Sequence, residues 1–226
     1  KSVIKSLKIK GLNVTIPFKK DIIKHLDVVE KKAATIQAVN TIYNNKGKLE
    51  GYNTDIEGFL AGLNKLKYLN VKKPAVILGA GGASEAVIHG LNEIGIKKIY
   101  LMNRTKEKAR KIAEKYSNVI VENWIDGDLT KKAGLIVNTT SLGMIGYPPV
   151  PISLKRVNKD TKIYDIVYNP LDTKLIKEAK VNNLEYVTGL PMFLGQAQQS
   201  FKIWFKIKPK INDYLLSKIK KNIKLT

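Results

Sequence analysis

The residues that could do chemistry in this chain fall into three groups. The first is a glycine-rich turn, Gly79-Ala80-Gly81-Gly82-Ala83-Ser84, between an apolar run and an amphipathic segment. Strand, small-residue turn and helix in that order can cradle a pyrophosphate: small residues admit the phosphates to the backbone, and the helix N-terminus offers free N–H groups and partial positive charge. Glycine turns after strands are common, so this turn alone divides evenly between a phosphate cradle and a plain tight turn. The second group closes the next apolar run, where Asn103-Arg104-Thr105 stands. An NAD site usually carries Asp or Glu there for the ribose 2′-hydroxyl. A carboxylate would repel a 2′-phosphate, whereas an arginine and two hydrogen-bonding side chains would hold one, which favours NADP over NAD. Thr105 also suits the N-cap of a helix beginning near Lys106, and both readings can hold together. The third group is scattered: Asn13, Thr15 and Lys19 near the C-terminal end of an alternating strand, then Asn40-Thr41, then Asn53-Thr54-Asp55. Strand C-terminal ends are where α/β proteins keep their chemistry. Asn, Thr and Asp are also ordinary helix N-caps, so Lys19, Asn40 and Asp55 gain weight only if the fold brings them into one cleft.

Hydrophobic periodicity predicts the elements that must position these groups. Residues 2–9 have helical spacing, and Gly11 breaks it. A strand over 12–16 ends at Pro17, and a short helix over 21–26 follows. Strands at 38–43 and 48–52 form a hairpin around Asn44-Asn45-Lys46-Gly47, with a helix over 56–66 behind it. From Lys73 to Val187 strands (75–78, 98–102, 133–138, 162–167, 184–187) alternate with helices (84–91, 106–116, 175–181), the pattern of a parallel sheet covered on both faces. The small polar loop Asn138-Thr139-Thr140-Ser141-Leu142-Gly143-Met144 suits the side of a nicotinamide ribose. Thr188 to Met192 turns into a long helix with Phe193, Ala197, Phe201, Trp204 and Phe205 on one face. Ile211, Leu215, Leu216, Ile219 and Ile223 mark a last amphipathic helix, expected to pack on the N-terminal part. The period changes near Leu66 and Gly189. The expected fold is therefore α/β, with a Rossmann-like NADP-binding domain (56–188) inserted in a smaller α/β substrate domain (1–55 and 189–226) and a cleft between them.

Composition narrows the function classes. The net charge of +21 over 226 residues comes almost wholly from lysine, the only arginines being Arg104, Arg110 and Arg156. The lysines are spread along the chain, which fits a lysine-rich surface better than a nucleic-acid interface. Without cysteine there is no disulfide or thiolate site, and His25 and His89 are too isolated for a histidine metal cluster. No apolar run approaches the ~20 residues of a membrane span. A soluble, cytoplasmic protein without membrane or nucleic-acid partners is the expectation.

Six stretches coincide, in order, with one known family: Asn13-Val14-Thr15-Ile16-Pro17-Phe18-Lys19, Ala38-Val39-Asn40-Thr41, Gly51-Tyr52-Asn53-Thr54-Asp55, Gly79 to Ala83, Asn103-Arg104-Thr105, and Gly189-Leu190-Pro191-Met192-Phe193-Leu194-Gly195-Gln196. Over nearly its whole length the chain resembles shikimate dehydrogenase. The resemblance implies NADPH-dependent reduction of 3-dehydroshikimate to shikimate, in the pathway to aromatic amino acids, and is compatible with a homodimer. It implies Lys19 as catalytic acid/base with Asp55 as its partner, and Thr15, Asn40, Tyr168 and Gln196 as further substrate ligands. Cofactor contacts carry over to Gly79, Ala80, Gly81, Gly82, Ala83, Asn103, Arg104, Thr105, Lys106, Glu107, Lys108, Ile166 and Gly189. The chemistry agrees: ketone reduction needs a hydride at carbon and a proton at oxygen, which a lysine can supply without a metal. Family members usually begin with a further β-α-β segment carrying a Ser-x-Ser substrate-carboxylate anchor, which nothing here matches. Alternative readings are a quinate/shikimate dehydrogenase using NAD and a non-catalytic NADP-binding relative.

Overall fold

A computed structural model of the chain describes residues 4, 7–125 and 127–225. Its centre is the apolar run Ala75–Leu78, which forms β5 with every residue buried. Four branched or small apolar residues without polar alternation suit a strand covered on both faces. Around it run β6 (Ile99–Met102), β7 (Val119–Glu122), β8 (Leu135–Asn138), β9 (Lys162–Asp165) and β10 (Tyr186–Val187). They form one six-stranded sheet in the order β10-β9-β8-β5-β6-β7, parallel throughout. The chain leaves β5 toward β6 on one side and returns to β8 on the other, so strand order reverses at β5. The register pairs Leu78 with Met102 and with Asn138, and Asn138 with Asp165. The next residues, Gly79, Asn103, Thr139 and Ile166, therefore emerge together at one edge, where α/β sheets bind ligands.

Helices α3 (Ser84–Glu93), α4 (Lys106–Ala113), α5 (Gly127–Lys132) and α6 (Lys174–Val181) lie between successive strands, except between β8 and β9, which a long loop joins. One face of the sheet packs Ile77, Leu101 and Val137 against Val87, Leu91 and Phe59. The other packs Val76, Leu78 and Ile136 against Val150, Leu154 and Leu175. Each such side chain contributes roughly 1.5–3 kcal/mol by burial.

A smaller sheet holds β1 (Gly11–Asn13), β2 (Val28–Val29), β3 (Thr41–Asn45) and β4 (Lys48–Tyr52) in the order β1-β3-β4-β2. The β3–β4 hairpin turns through Lys46 and Gly47, both at positive φ, and the Asn44 side chain accepts from the Gly47 N–H at 2.8 Å. Between the sheets lie α2 (Asp55–Leu63) and α7 (Leu190–Phe205). These helices meet almost backbone to backbone: a Cβ on Gly58 would stand 2.6 Å from the Met192 carbonyl oxygen, and one on Gly195 2.9 Å from the Ala61 Cβ. Phe59 of α2 stacks on Tyr164 of β9 at 5.0 Å between ring centroids, which pins α2 to the large sheet.

The fold departs from the periodicity in several places. Half of the helix expected over residues 2–9 lies outside the described residues, and its end at Leu7-Lys8 is a turn. Gly11 does not break a helix there but starts β1, because the Trp204 indole fills the place its side chain would take and donates to the Ile42 carbonyl at 2.9 Å. The strand expected over 12–16 stops at Asn13. Four elements are additional: β2, a short helix α1 (Lys31–Thr35), the edge strand β7 and α5. The last helix, α8 (Asp213–Leu225), does not bury the face its periodicity predicts: Leu215 is exposed, and Leu216, Ile219 and Ile223 are only half-buried.

Candidate active site

Lys19 and Asp55 follow two different strands of the small sheet, β1 and β4, and meet. Lys19 lies in the loop after β1, held by its carbonyl oxygen, which accepts from the Val39 N–H at 2.9 Å. Asp55 opens α2, and its N–H donates to the Asn53 side-chain oxygen at 2.9 Å, a turn that sets the start of the helix. The Lys19 Nζ donates to Asp55 Oδ2 at 2.7 Å, with the two side chains 16% and 9% exposed. The other carboxylate oxygen accepts from Asn40 Nδ2 at 2.8 Å. The amide oxygen of Asn40 in turn accepts from the Thr54 N–H at 2.8 Å and from the Thr41 hydroxyl at 3.0 Å.

Behind this first layer lies a buried hydroxyl cluster. Ser200 Oγ is 2.7 Å from Thr41 Oγ1 and 3.2 Å from Thr54 Oγ1, receives the Asn13 side-chain amide at 3.1 Å, and donates to the Gln196 carbonyl at 3.0 Å. It ties β1, β3, α2 and α7 to one point. Ser200 is the supporting residue that sequence reasoning missed. The available signal was its spacing, one helical turn after Gln196 on the same face.

A cavity of about 440 Å³ opens in front of the pair. Asn13, Thr15, Lys19, Asn40 and Asp55 line it, and facing them are Ile166, Tyr168, Gly189, Met192, Phe193 and Gln196. Of the sequence-predicted residues, Thr15, Lys19, Asn40, Asp55, Tyr168, Gln196, Ile166 and Gly189 are thus in one place. Tyr168 stacks on Phe193 at 4.6 Å. The Gln196 side-chain amide donates to the Phe193 carbonyl at 2.9 Å. The Gly189 position excludes any side chain, because a Cβ there would run into the Ile166 carbonyl.

The wall carrying Ile166 and Tyr168 is braced by Asp165, which is fully buried. Its Oδ1 accepts from Asn138 Nδ2 at 2.9 Å and from the Val167 N–H at 3.1 Å, and its Oδ2 accepts from the Thr173 hydroxyl at 2.6 Å. Burial pushes its carboxyl above the usual range, partly offset by those three donors. Asn138 also bonds the Leu142 carbonyl and the Thr140 N–H and hydroxyl, so one carboxylate organises the loops after β8 and β9.

The glycine turn follows β5 at the sheet's reversal point. Gly79 has φ +104, and a Cβ on it would lie 2.6 Å from Thr140 Cγ2, so only glycine fits. Gly81 and Gly82 have open space where a side chain would be. Ala83 occupies the N-cap position of α3, without a side-chain cap. Ser84 Oγ donates to the Gly81 carbonyl at 2.6 Å. Asn103 is a brace here, its side-chain oxygen accepting from the Ala80 N–H at 3.0 Å and its amide donating to the Thr105 carbonyl at 2.7 Å. Thr105 sits at the N-cap of α4 but makes no side-chain cap bond.

A second cavity, about 420 Å³, lies beside Ala80, Gly81 and Gly82 and is rimmed by Lys108, Lys111 and Lys115 of the α4 region together with Lys20, Gln37 and Glu85. Lys108 is the predicted cofactor residue it takes from that stretch. Arg104, Thr105, Lys106 and Glu107 are exposed and line neither cavity, and Glu107 lies 3.6 Å from Arg110 on its own helix. The turn fits a dinucleotide: open space beside two glycines, a helix N-terminus beyond them, and exposed cations where a carboxylate would mark NAD.

A glycine turn at the reversal point of a parallel sheet, facing a cleft with a lysine–aspartate pair, defines a dinucleotide-dependent oxidoreductase built on two sheets. Comparison with known proteins specifies which. Residues 1–42 match the model of the shikimate dehydrogenase substrate binding domain, and residues 63–141 that of shikimate / quinate 5-dehydrogenase. The shikimate dehydrogenase (NADP(+)) of Aquifex aeolicus is 46% identical over 200 residues, spanning 88% of this chain and 72% of that protein. The crystal structure of shikimate 5-dehydrogenase from Thermus thermophilus in complex with NADP(H) and shikimate superposes with a TM-score of 0.84 at 32% identity, covering 98% of this chain and 83% of that one. Quinate dehydrogenase from Corynebacterium glutamicum in complex with NAD gives 0.90 at 27% identity, covering 100% and 81%. The chain belongs to the shikimate dehydrogenase family.

Proposed function

We propose that this chain catalyses the reversible NADP-dependent reduction of 3-dehydroshikimate to shikimate, with Lys19 as proton donor and acceptor. The observation that carries the reading is the Lys19–Asp55–Asn40 chain lining the 440 Å³ cavity. When bound, NADPH supplies the hydride. The glycine turn with Ala80, Gly81 and Gly82 would hold its pyrophosphate, Lys108 and Arg104 its 2′-phosphate, and Ile166 and Gly189 the nicotinamide end.

As the ketone carbon gains hydride, its oxygen gains negative charge and takes a proton from the Lys19 ammonium. In the reverse direction the neutral amine removes the hydroxyl proton. A positioned acid/base group of this kind contributes roughly 10²- to 10⁴-fold. Asp55 fixes the direction of the Lys19 Nζ, and Asn40 occupies the other carboxylate oxygen so that the aspartate cannot swing away. Thr15, Tyr168 and Gln196 offer hydroxyl and amide groups to the ring substituents, the paired donors and acceptors that a polyhydroxylated substrate requires. The same reading puts the protein in the cytoplasm, acting on small molecules without a nucleic-acid or membrane partner. Among the described residues no helix is long and apolar enough to cross a membrane.

The test is NADP⁺ reduction with shikimate, followed by NADPH absorbance, for the parent chain and for Lys19→Met. The parent turns over and the variant loses at least roughly 10²-fold in kcat. Full turnover in the variant would remove the assignment of Lys19. Turnover with NAD but little with NADP would overturn the cofactor reading.

A further inference from the structure

Glu85 is a carboxylate beside a turn proposed to take phosphates. It lies in the first turn of α3, next to the glycine turn that receives phosphates, and its side chain is only 6% exposed. An uncompensated carboxylate there would oppose an anionic cofactor. The structure compensates it with two ammonium groups from different parts of the fold. Lys115 Nζ, from the end of the α4 region, lies 2.7 Å from Glu85 Oε2, and Lys20 Nζ, from the small-sheet side, lies 3.5 Å from Glu85 Oε1. Lys115 also donates to Gln37 Oε1 at 3.3 Å, so the small-sheet side is engaged twice. Two cations on one carboxylate leave the site net positive, and Lys108 and Lys111 continue that sign around the second cavity.

Lys20 is the residue directly after Lys19. A tie on Lys20 therefore holds the backbone that presents Lys19, while the Val39 N–H holds the Lys19 carbonyl from the other side. At its far end the tie reaches the helix that begins at the glycine turn. We infer that Glu85 is a positioning residue: through Lys20 it fixes the proton-donating loop to the cofactor-binding helix, so that the proton donor and the hydride donor share one frame. Neither Glu85 nor Lys20 touches the reacting atoms. Misplacement of a reacting group by a fraction of an ångström to one ångström is costly in rate, which is how a remote tie affects turnover.

The inference rests on Lys19 as the proton donor, and the experiment separates the two. Glu85→Gln keeps the shape and removes the charge, and Lys20→Met removes the ammonium from a side chain that is 63% exposed, where a substitution costs little stability. Steady-state kinetics are measured for parent, Glu85→Gln, Lys20→Met and the double variant, with the thermal midpoint of each. Each single variant is expected to lose about 3- to 10-fold in kcat with the shikimate KM nearly unchanged, and the double variant no more than Glu85→Gln alone, as for residues acting through one contact. High salt should shrink the Lys20→Met effect, since the pair is exposed on that side. Multiplied losses in the double variant, or a Lys20→Met variant with the parent's kcat, would overturn the inference even if Lys19→Met is dead. An active Lys19→Met variant would instead overturn the reading beneath it.

Discussion

Replacing Asp55 with asparagine tests the centre of the site with almost no change in shape. The carboxylate spends both oxygens as acceptors, Oδ2 for the Lys19 Nζ at 2.7 Å and Oδ1 for Asn40 Nδ2 at 2.8 Å. An amide has one oxygen. Whichever way it flips, one of the two donors then faces an NH₂ group. If the oxygen stays with Asn40, Lys19 loses its counter-charge and its orienting contact. If it turns to Lys19, the Asn40 amide is left facing a donor, and its own oxygen is already committed to Thr54 and Thr41. A hydrogen bond to a charged group is worth about 1.5–3 kcal/mol. If the transition state feels that loss in full, kcat/KM falls roughly 10- to 150-fold. The lower half of that range is the better expectation, because the cavity gives the Lys19 ammonium some access to water. The assay is NADP⁺ reduction over a range of shikimate concentrations, with the midpoint of urea unfolding measured on the same samples. A variant within about twofold of the parent in kcat/KM, with unfolding unchanged, would refute the argument that the carboxylate holds the lysine in working position.

Lys108→Ala should raise the KM for NADP⁺ about tenfold and leave turnover with NAD⁺ unchanged, since a charge-assisted contact to a 2′-phosphate exists for one cofactor alone. Equal losses with both cofactors would place Lys108 at the pyrophosphate instead. The phenols of Tyr52 and Tyr116 are pushed up to about 12, Tyr52 by burial and then by its bond to Glu50, Tyr116 by burial and then by the charge of Glu85. Both folded values lie above the unfolded value of about 10. The stability they contribute is therefore fully present below pH ~10 and is lost as the pH rises from there through about 12. Spectrophotometric titration should show phenols that ionise only late, and two fewer of them in the Tyr52→Phe, Tyr116→Phe double variant would confirm which.

The large sheet was legible because its strands are short apolar runs ending in small or polar residues, a pattern that only buried strands between helices sustain. The strand β7 escaped because it lies at the sheet's edge: Ile120 is 40% exposed, and Val121 and Glu122 are half-buried, so the run has no clean face. β2 and α1 escaped for a different reason. Two and five residues carry too little periodicity; β2 is held by its pairing with β4, and α1 starts on a local cap, Glu30 accepting from the Ala33 N–H, where Ser, Thr, Asp or Asn is the usual signal. Gly11 misled because a glycine in a strand marks either a break or a close approach, and only the fold shows the Trp204 indole packed against it.

The residues of the cleft were legible one by one, yet their connections were not. Nothing in the order of the chain says that Ser200 touches Thr41 and Thr54, or that Asn103 spends its side chain on Ala80 and Thr105. The lysines show the same limit most sharply. Their even spread along the sequence argued for a plain charged surface, and for exposed, unclustered ones that account suffices. But Lys19 faces Asp55, Lys32 bridges Glu57 and Glu93, Lys115 bridges Glu85 and Gln37, and Lys162 pairs with Glu185. Lys32 and Lys115 join carboxylates of α2, α3 or both to elements far away in the chain. A charge excess of this size gives acidic groups near the surface a choice of cations. Which cation each takes is settled by which elements the buried contacts bring together. The pairing of Glu85 with Lys20 is therefore a consequence of how α3 sits against the small sheet, where Ala86 packs with Ile36, Ala38 and Ile56, and a substitution that loosened that apolar contact should weaken the ion pair along with it.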